Sequence, residues 1–212
     1  MTGVLQKVED IDGLWVARRG SLSCFALELR EGGLCLYSPV EKLSGVFSDL
    51  EPVRFLFAPN HYHNKAVQEF SRAFCQARRV CSEAARPRLE KVTSQDFENL
   101  QALNDQLPRN VALVEPEGLK TGEVWLRVEC GDNLAWIVTD AFCGEGASNT
   151  KAASLGFLKT FPRYGVQDAD RFAFWVQERL RQEVPTHVLP CHGPAVSGPD
   201  LGADILRLLE RL

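Results

Sequence analysis

Thr186-His187-Val188-Leu189-Pro190-Cys191-His192-Gly193-Pro194 carries the reading from which the fold follows. Thr186 to Leu189 reads as a short apolar strand, and Pro190-Cys191-His192-Gly193 as the turn that ends it. Beyond it, Pro199-Asp200 is a good helix start, and Ile205, Leu208, Leu209 and Leu212 share one helical face. A strand, a histidine-bearing turn and a closing helix therefore follow one another. His187 belongs to the strand and is read as a strand residue rather than a ligand.

Working back from that point, the same order of hairpin, loop and helix occurs twice without any repeat of sequence. Glu123 to Cys130 and Leu134 to Thr139 flank Gly131-Asp132-Asn133, a strong hairpin turn. Asp168 to Glu183 sets Phe172, Trp175, Val176 and Leu180 on one side, the pattern of an amphipathic helix. Earlier, residues 13 to 18 and 24 to 30 read as strands, and the second turns at Gly32-Gly33 into Leu34-Cys35-Leu36-Tyr37. Arg54 to Ala58 is a further short strand, stopped by Pro59-Asn60. A helix follows, with Val67, Phe70, Phe74 and Ala77 on one face. Two such halves suit stacked sheets covered by helices, within one domain spanning residues 1–212.

Composition narrows the function classes. The 212 residues carry a net charge of −4 without a basic stripe, so nucleic acid has no electrostatic footprint. Arg78-Arg79 and Arg179 to Arg181 read as solvated helix faces. No apolar run reaches the roughly 20 residues of a membrane span, and Met1 to Asp10 lacks the pattern of a signal peptide. The seven cysteines have no CxxC spacing and read as reduced, mostly buried thiols. The expectation is a soluble cytoplasmic protein.

Four separated stretches carry chemistry. His61-Tyr62-His63 follows a strand, and in an extended segment residues i and i+2 face the same side, so both imidazoles would converge. Asp140 closes the apolar strand before Ala141-Phe142-Cys143. Gly118-Leu119-Lys120-Thr121-Gly122-Glu123 leads into a strand, and Pro190-Cys191-His192-Gly193 leaves one. In this order and spacing they resemble the metallo-β-lactamase superfamily, over roughly residues 13 to 212. The last stretch resembles its closing "PGHG" loop, and Asp140 its bridging carboxylate. Ser38, in Leu36-Tyr37-Ser38-Pro39-Val40, stands where the superfamily places an aspartate that orients the ligands.

The resemblance implies a four-layer αββα sandwich with zinc ligands on loops at the strand ends. His61, His63, Asp140 and His192 are the metal-ligand candidates, expected to converge in one cleft, and Asp140 is also the candidate catalytic residue. The ligand set is incomplete. Lys65 and Ala66 occupy the last two positions of the HxHxDH pattern, and Leu119 the position of a third histidine. A protonated lysine offers no lone pair and repels a dication. Its ammonium is expected near Asp140 or His192. At most one zinc ion is therefore expected, with little or no β-lactamase activity.

Two function classes follow. One is a mononuclear metal-dependent hydrolase, with substrate undefined. The other is a metal-free degenerate member, in which Lys65 pairs with Asp140 and the old cleft binds a small anion or a protein partner. A third, cysteine-based activity at Cys191 is disfavoured, because adjacent residues in a turn rarely direct their side chains at each other.

Overall fold

The computed structural model describes residues 4–50, 52–146 and 153–212. The first half of the chain builds one sheet from β1 (Leu5–Lys7), β2 (Leu14–Arg19), β3 (Leu22–Glu28), β4 (Leu34–Tyr37), β5 (Val53–Phe57) and, after helix α1 (Val67–Ala73), β6 (Arg78–Val80). These six strands lie in sequence order. The first four run antiparallel through short turns, whereas β4, β5 and β6 are parallel neighbours joined by longer crossovers. Helices α2 (Arg86–Thr93) and α3 (Leu100–Asn104) then lead to the second sheet.

That sheet has the order β13-β12-β9-β8-β7. Its members are β7 (Val111–Val114), β8 (Trp125–Cys130), β9 (Asn133–Val138), β12 (His187–Pro190) and β13 (Val196–Ser197). The hairpin β8–β9 closes through Gly131-Asp132, where Gly131 takes a positive φ of 58°. Between β9 and β12 the chain forms the small hairpin β10 (Cys143–Glu145) and β11 (Ser154–Gly156), then α4 (Phe161–Tyr164) and α5 (Ala169–Gln182). Because of that long excursion, β12 returns parallel to β9. The chain ends in α6 (Leu201–Leu209).

Strict alternation along the strands separates three apolar layers. In β3 and β4, Phe25, Leu27, Cys35 and Tyr37 face the second sheet, while Cys24, Ala26, Leu34 and Leu36 face α1 and its neighbouring turn. In the second sheet Leu126, Val128, Ala135, Ile137 and Leu189 point to the first. Trp125, Trp136, Val138 and Val188 point outward, beneath α5 and α6. A bulge between Leu34 and Cys35 shifts the parity of β5, so Val53 faces out while Phe55 and Phe57 face in. The result is the expected order helix, sheet, sheet, helix.

One reading of the sequence is corrected. Arg78-Arg79 lies on a strand, not a helix. β6 is the last strand of its sheet, paired with β5 on one side and bridged only at Val80 to Glu98 on the other among the described residues, and Arg78 binds Glu98 while stacking 5.1 Å from the Phe55 ring. Charged side chains suit such an edge because they discourage pairing with another chain. The run was too short to show its period. Arg179 and Arg181 do lie on α5, and no helix among the described residues is long and apolar enough to cross a membrane.

The two sheets are tied by a polar bond as well as by packing. Tyr37, fully buried, donates its hydroxyl proton to the Val124 carbonyl at 2.7 Å, from the first sheet to the chain leading into β8. Tyr37→Phe should lower unfolding free energy by about 1–3 kcal/mol, since the Val124 carbonyl loses its partner in a dry interior. Tyr37→Ala should cost about 3–5 kcal/mol by opening a cavity as well. Urea denaturation of both variants measures this; a phenylalanine variant as stable as the wild type would place the whole effect in packing.

Candidate metal centre

The parallel pairing in each sheet places the candidate residues. β4 and β5 end on the same side of the first sheet, and β9 and β12 on the same side of the second. The loops leaving these four ends carry Ser38, Asn60 to His63, Asp140 and His192, and they meet along one edge of the sandwich.

Asp140 is at the centre. Its Oδ1 lies 3.1 Å from His63 Nε2 and 3.0 Å from His192 Nε2, while Asn60 donates its amide proton to Oδ2 at 2.9 Å. The His63 and His192 rings meet edge to face with centroids 5.5 Å apart. Burial by itself would raise the Asp140 carboxyl. The charge of His63, followed by the contacts of His192 and His63, overcomes that and holds it far below the usual carboxylate range. Asp140 is thus the ionised member of the site.

Each ligand candidate is oriented by a second contact. His63 Nδ1 is 2.7 Å from Ser38 Oγ, a contact that fixes the ring so that Nε2 faces Asp140. Ser38 reaches this position through a left-handed φ of 59°, uncommon for a residue with a side chain. Asn60 accepts from the amides of Tyr62 at 2.7 Å and His63 at 3.2 Å, curling the chain into a turn. His192 is fixed through its backbone, whose carbonyl accepts from Gly144 at 2.9 Å. Gly193 has a φ of 85°, and a side chain there would meet the Gly144 oxygen at 2.0 Å.

Behind Asp140 stands a second carboxylate, Glu123, at 2% exposure. It accepts from Trp125 Nε1 at 2.7 Å and from the amides of Thr139, Asp140 and Ala141 at 3.2–3.3 Å. Burial, then the charge of Asp140, pushes the Glu123 carboxyl up, against the pull of those donors. Glu123 thus shapes the loop that presents Asp140.

The donor set fits one divalent ion. His63, Asp140 and His192 each offer a ligand atom, all within 4.8 Å of one another. Tetrahedral coordination at about 2.0–2.1 Å separates ligand atoms by about 3.3–3.5 Å, so the observed contacts need only a slight opening. His192 Nε2 is buried yet lacks a hydrogen bond of good geometry despite its closeness to Asp140. An unsatisfied nitrogen aimed at a carboxylate suits metal coordination.

No family model matches the chain. Metabotropic glutamate receptor-like protein E of Dictyostelium discoideum is 36% identical over 74 residues, which are 33% of this chain and only 9% of that protein. The whole chain superposes on a metallo-beta-lactamase from Pontibacter korlensis over 100% of both, with a TM-score of 0.60 and 14% identity. For the FIM-1 metallo-beta-lactamase of Pseudomonas aeruginosa in its mono-zinc form, the TM-score is 0.63 and identity 11%, over 100% of this chain and 96% of that one. The Flv1 flavodiiron core from Synechocystis gives 0.64 and 12%, over 99% and 62%.

This chain has the metallo-β-lactamase fold.

Within that fold, the structure brings His63, Asp140 and His192 together and leaves His61 outside the group of converging donors. The His61–His63 stretch is a turn rather than an extended segment, so the i, i+2 rule does not apply. The His61 ring packs edge to face on Tyr62 at 4.3 Å, and its Nε2 is buried without a hydrogen bond. Burial, then the charge of Arg88, lowers its pKa and keeps the imidazole neutral, as a ligand must be. Lys65 is exposed on the rim of a groove shared with His63 and His192, and forms no ion pair with Asp140 among the described residues. Leu119 bridges to Val166 and packs into the apolar layer under α5.

Cys191 faces the core between the sheets, the side away from the cavity on which His192 opens. Burial pushes its thiol well up, so it remains protonated and unsuited to attack. Cys143 is likewise buried, its thiol raised to about 11.

The sequence reading assigned no role to Asn60 or Glu123. Pro59-Asn60 at a strand end was a legible signal for a side chain closing a turn, but the grip on Asp140 spans 80 residues. Glu123→Gln keeps the shape but turns one acceptor oxygen into a donor against backbone amides. It should cost about 1–3 kcal/mol in urea unfolding, and the loss should be smaller if Glu123 is protonated in the wild type.

Proposed function

We propose that this protein is a mononuclear metal-dependent hydrolase, with zinc held by His63, Asp140 and His192. The observation that carries the reading is the convergence of two imidazoles and one ionised carboxylate, with an unsatisfied His192 nitrogen, on the floor of an open cavity. Three protein donors leave a coordination position for water, as catalytic zinc sites require. Zinc at such a site supplies Lewis-acid activation of water and of the scissile bond. The mono-zinc form of FIM-1, similar in fold, supports the stoichiometry by analogy.

The chain's own residues have distinct tasks in this reading. Ser38 fixes the His63 ring through Nδ1, and Asn60 holds the Asp140 carboxylate through Oδ2. Asp140, held ionised, supplies the anionic ligand of the site. Lys65 and Ala66 supply no donors for a second ion, and neither does Leu119. A soluble cytoplasmic setting and a small-molecule substrate go with this reading.

One observation favours a second reading, a metal-free binding module. Asp140 Oδ1 meets His63 and its Oδ2 meets Asn60, so the carboxylate has partners within the protein itself.

Elemental analysis after zinc loading should find one equivalent per chain, falling to none in His192→Ala and His63→Ala. Two equivalents would contradict the mononuclear site; none would select the binding module. Ser38→Ala should retain the stoichiometry but weaken zinc affinity by about 10–100-fold in competition with a chromogenic chelator, as loss of an orienting partner does.

A further inference from the structure

The cavity over the donors, about 460 Å³, has a chemistry that the metal reading does not use. Tyr62, Leu158, Phe161 and Tyr164 line it with apolar and aromatic surface, and Arg88 lies among them. Among the described lining residues, Arg88 is the only lysine or arginine. It sits on α2, its guanidinium 5.0 Å from the centroid of the Tyr62 ring. No carboxylate among the described residues forms an ion pair with it, whereas Arg86 on the same helix is paired with Glu83.

An arginine stacked on an aromatic face keeps its edge of N–H donors free and loses little freedom on binding. Its planar fork matches a carboxylate or a phosphate. The volume suits a small organic molecule, since ligand pockets run from about 300 to 1,000 Å³ with a few polar groups among apolar walls.

We propose that Arg88 is the anion-docking residue of this cavity, selecting small molecules with an aryl or alkyl body and a carboxylate or phosphate head. The body packs against Leu158, Phe161 and Tyr164, and the head meets the guanidinium. This rests on reading the cavity as the substrate pocket of the hydrolase, for which it names the substrate class. That the charge of Arg88 is felt at His61 agrees with its place beside the site.

The test is binding of phenylacetate, phenyl phosphate and neutral phenylacetamide, followed by ligand-observed NMR titration on zinc-loaded and on chelator-treated protein. One or both anions should bind in both preparations, at least about tenfold more tightly than the amide, as charge-assisted hydrogen bonds require. The stronger anion identifies the head group. Arg88→Gln should abolish this preference and Arg88→Lys should keep part of it; the position is exposed on α2, and circular dichroism checks that both variants fold. Equal binding of anion and amide, an unchanged preference in Arg88→Gln, or no binding of either anion would overturn the proposal. Anion binding that needs zinc but ignores Arg88 would overturn it too, and leave the metal reading standing. Preference retained in a protein that takes up no zinc would uphold Arg88 and fail the hydrolase.

Discussion

The buried carboxylate of Asp140 is the constraint on which the rest of the site depends. A charge in so dry a position must be met by donors or cations, because desolvation otherwise costs several kcal/mol. The chain meets it from both sheets at once. Asn60 and His63 come from the loop after β5, and His192 from the loop after β12. The same contacts that stabilise the charge therefore hold the two sheets in register at this edge. They also gather the only group of three metal-ligating side chains found among the described residues.

That arrangement depends in turn on a second carboxylate with a different purpose. Glu123 offers its oxygens to three consecutive amides of the Thr139–Ala141 loop, replacing the ladder bonds that end with β9. Two acids so close cannot both be ionised cheaply. The structure separates them: imidazoles favour the charged form of Asp140, whereas Glu123 is surrounded by core and is driven toward its neutral form. The outward-facing acid keeps the charge a cation would need.

Around this centre the chain has kept a cavity but not a second set of donors. Lys65 is turned to solvent and Leu119 is absorbed into the apolar layer under α5. Neither replacement damages the sandwich, whose stability resides in the layers between and outside the sheets. Fold and metal chemistry are thus separable here, which is why likeness in fold at 14% identity or less does not carry an activity with it.

The sequence by itself determined the layers and the place of the ligands. Alternation in residues 24–30, 34–37 and 134–139, with the helical faces of 168–183 and 201–209, fixes which side chains enter each layer, because strand and helix periods are local properties. The strand-end positions of Asp140 and His192 were legible for the same reason. Short, charged or turn-rich stretches were not: β6 has three residues and two arginines, and Asn60 bends the His61–His63 stretch out of the extended form. Only the tertiary structure decided that His63 rather than His61 meets Asp140 and His192. It alone brought Glu123 beneath the Asp140 loop and Arg88 to the cavity wall. Those pairings join residues that are 16 to 129 positions apart in the sequence, and no local pattern encodes the direction in which a loop presents its side chains once packing has closed around it.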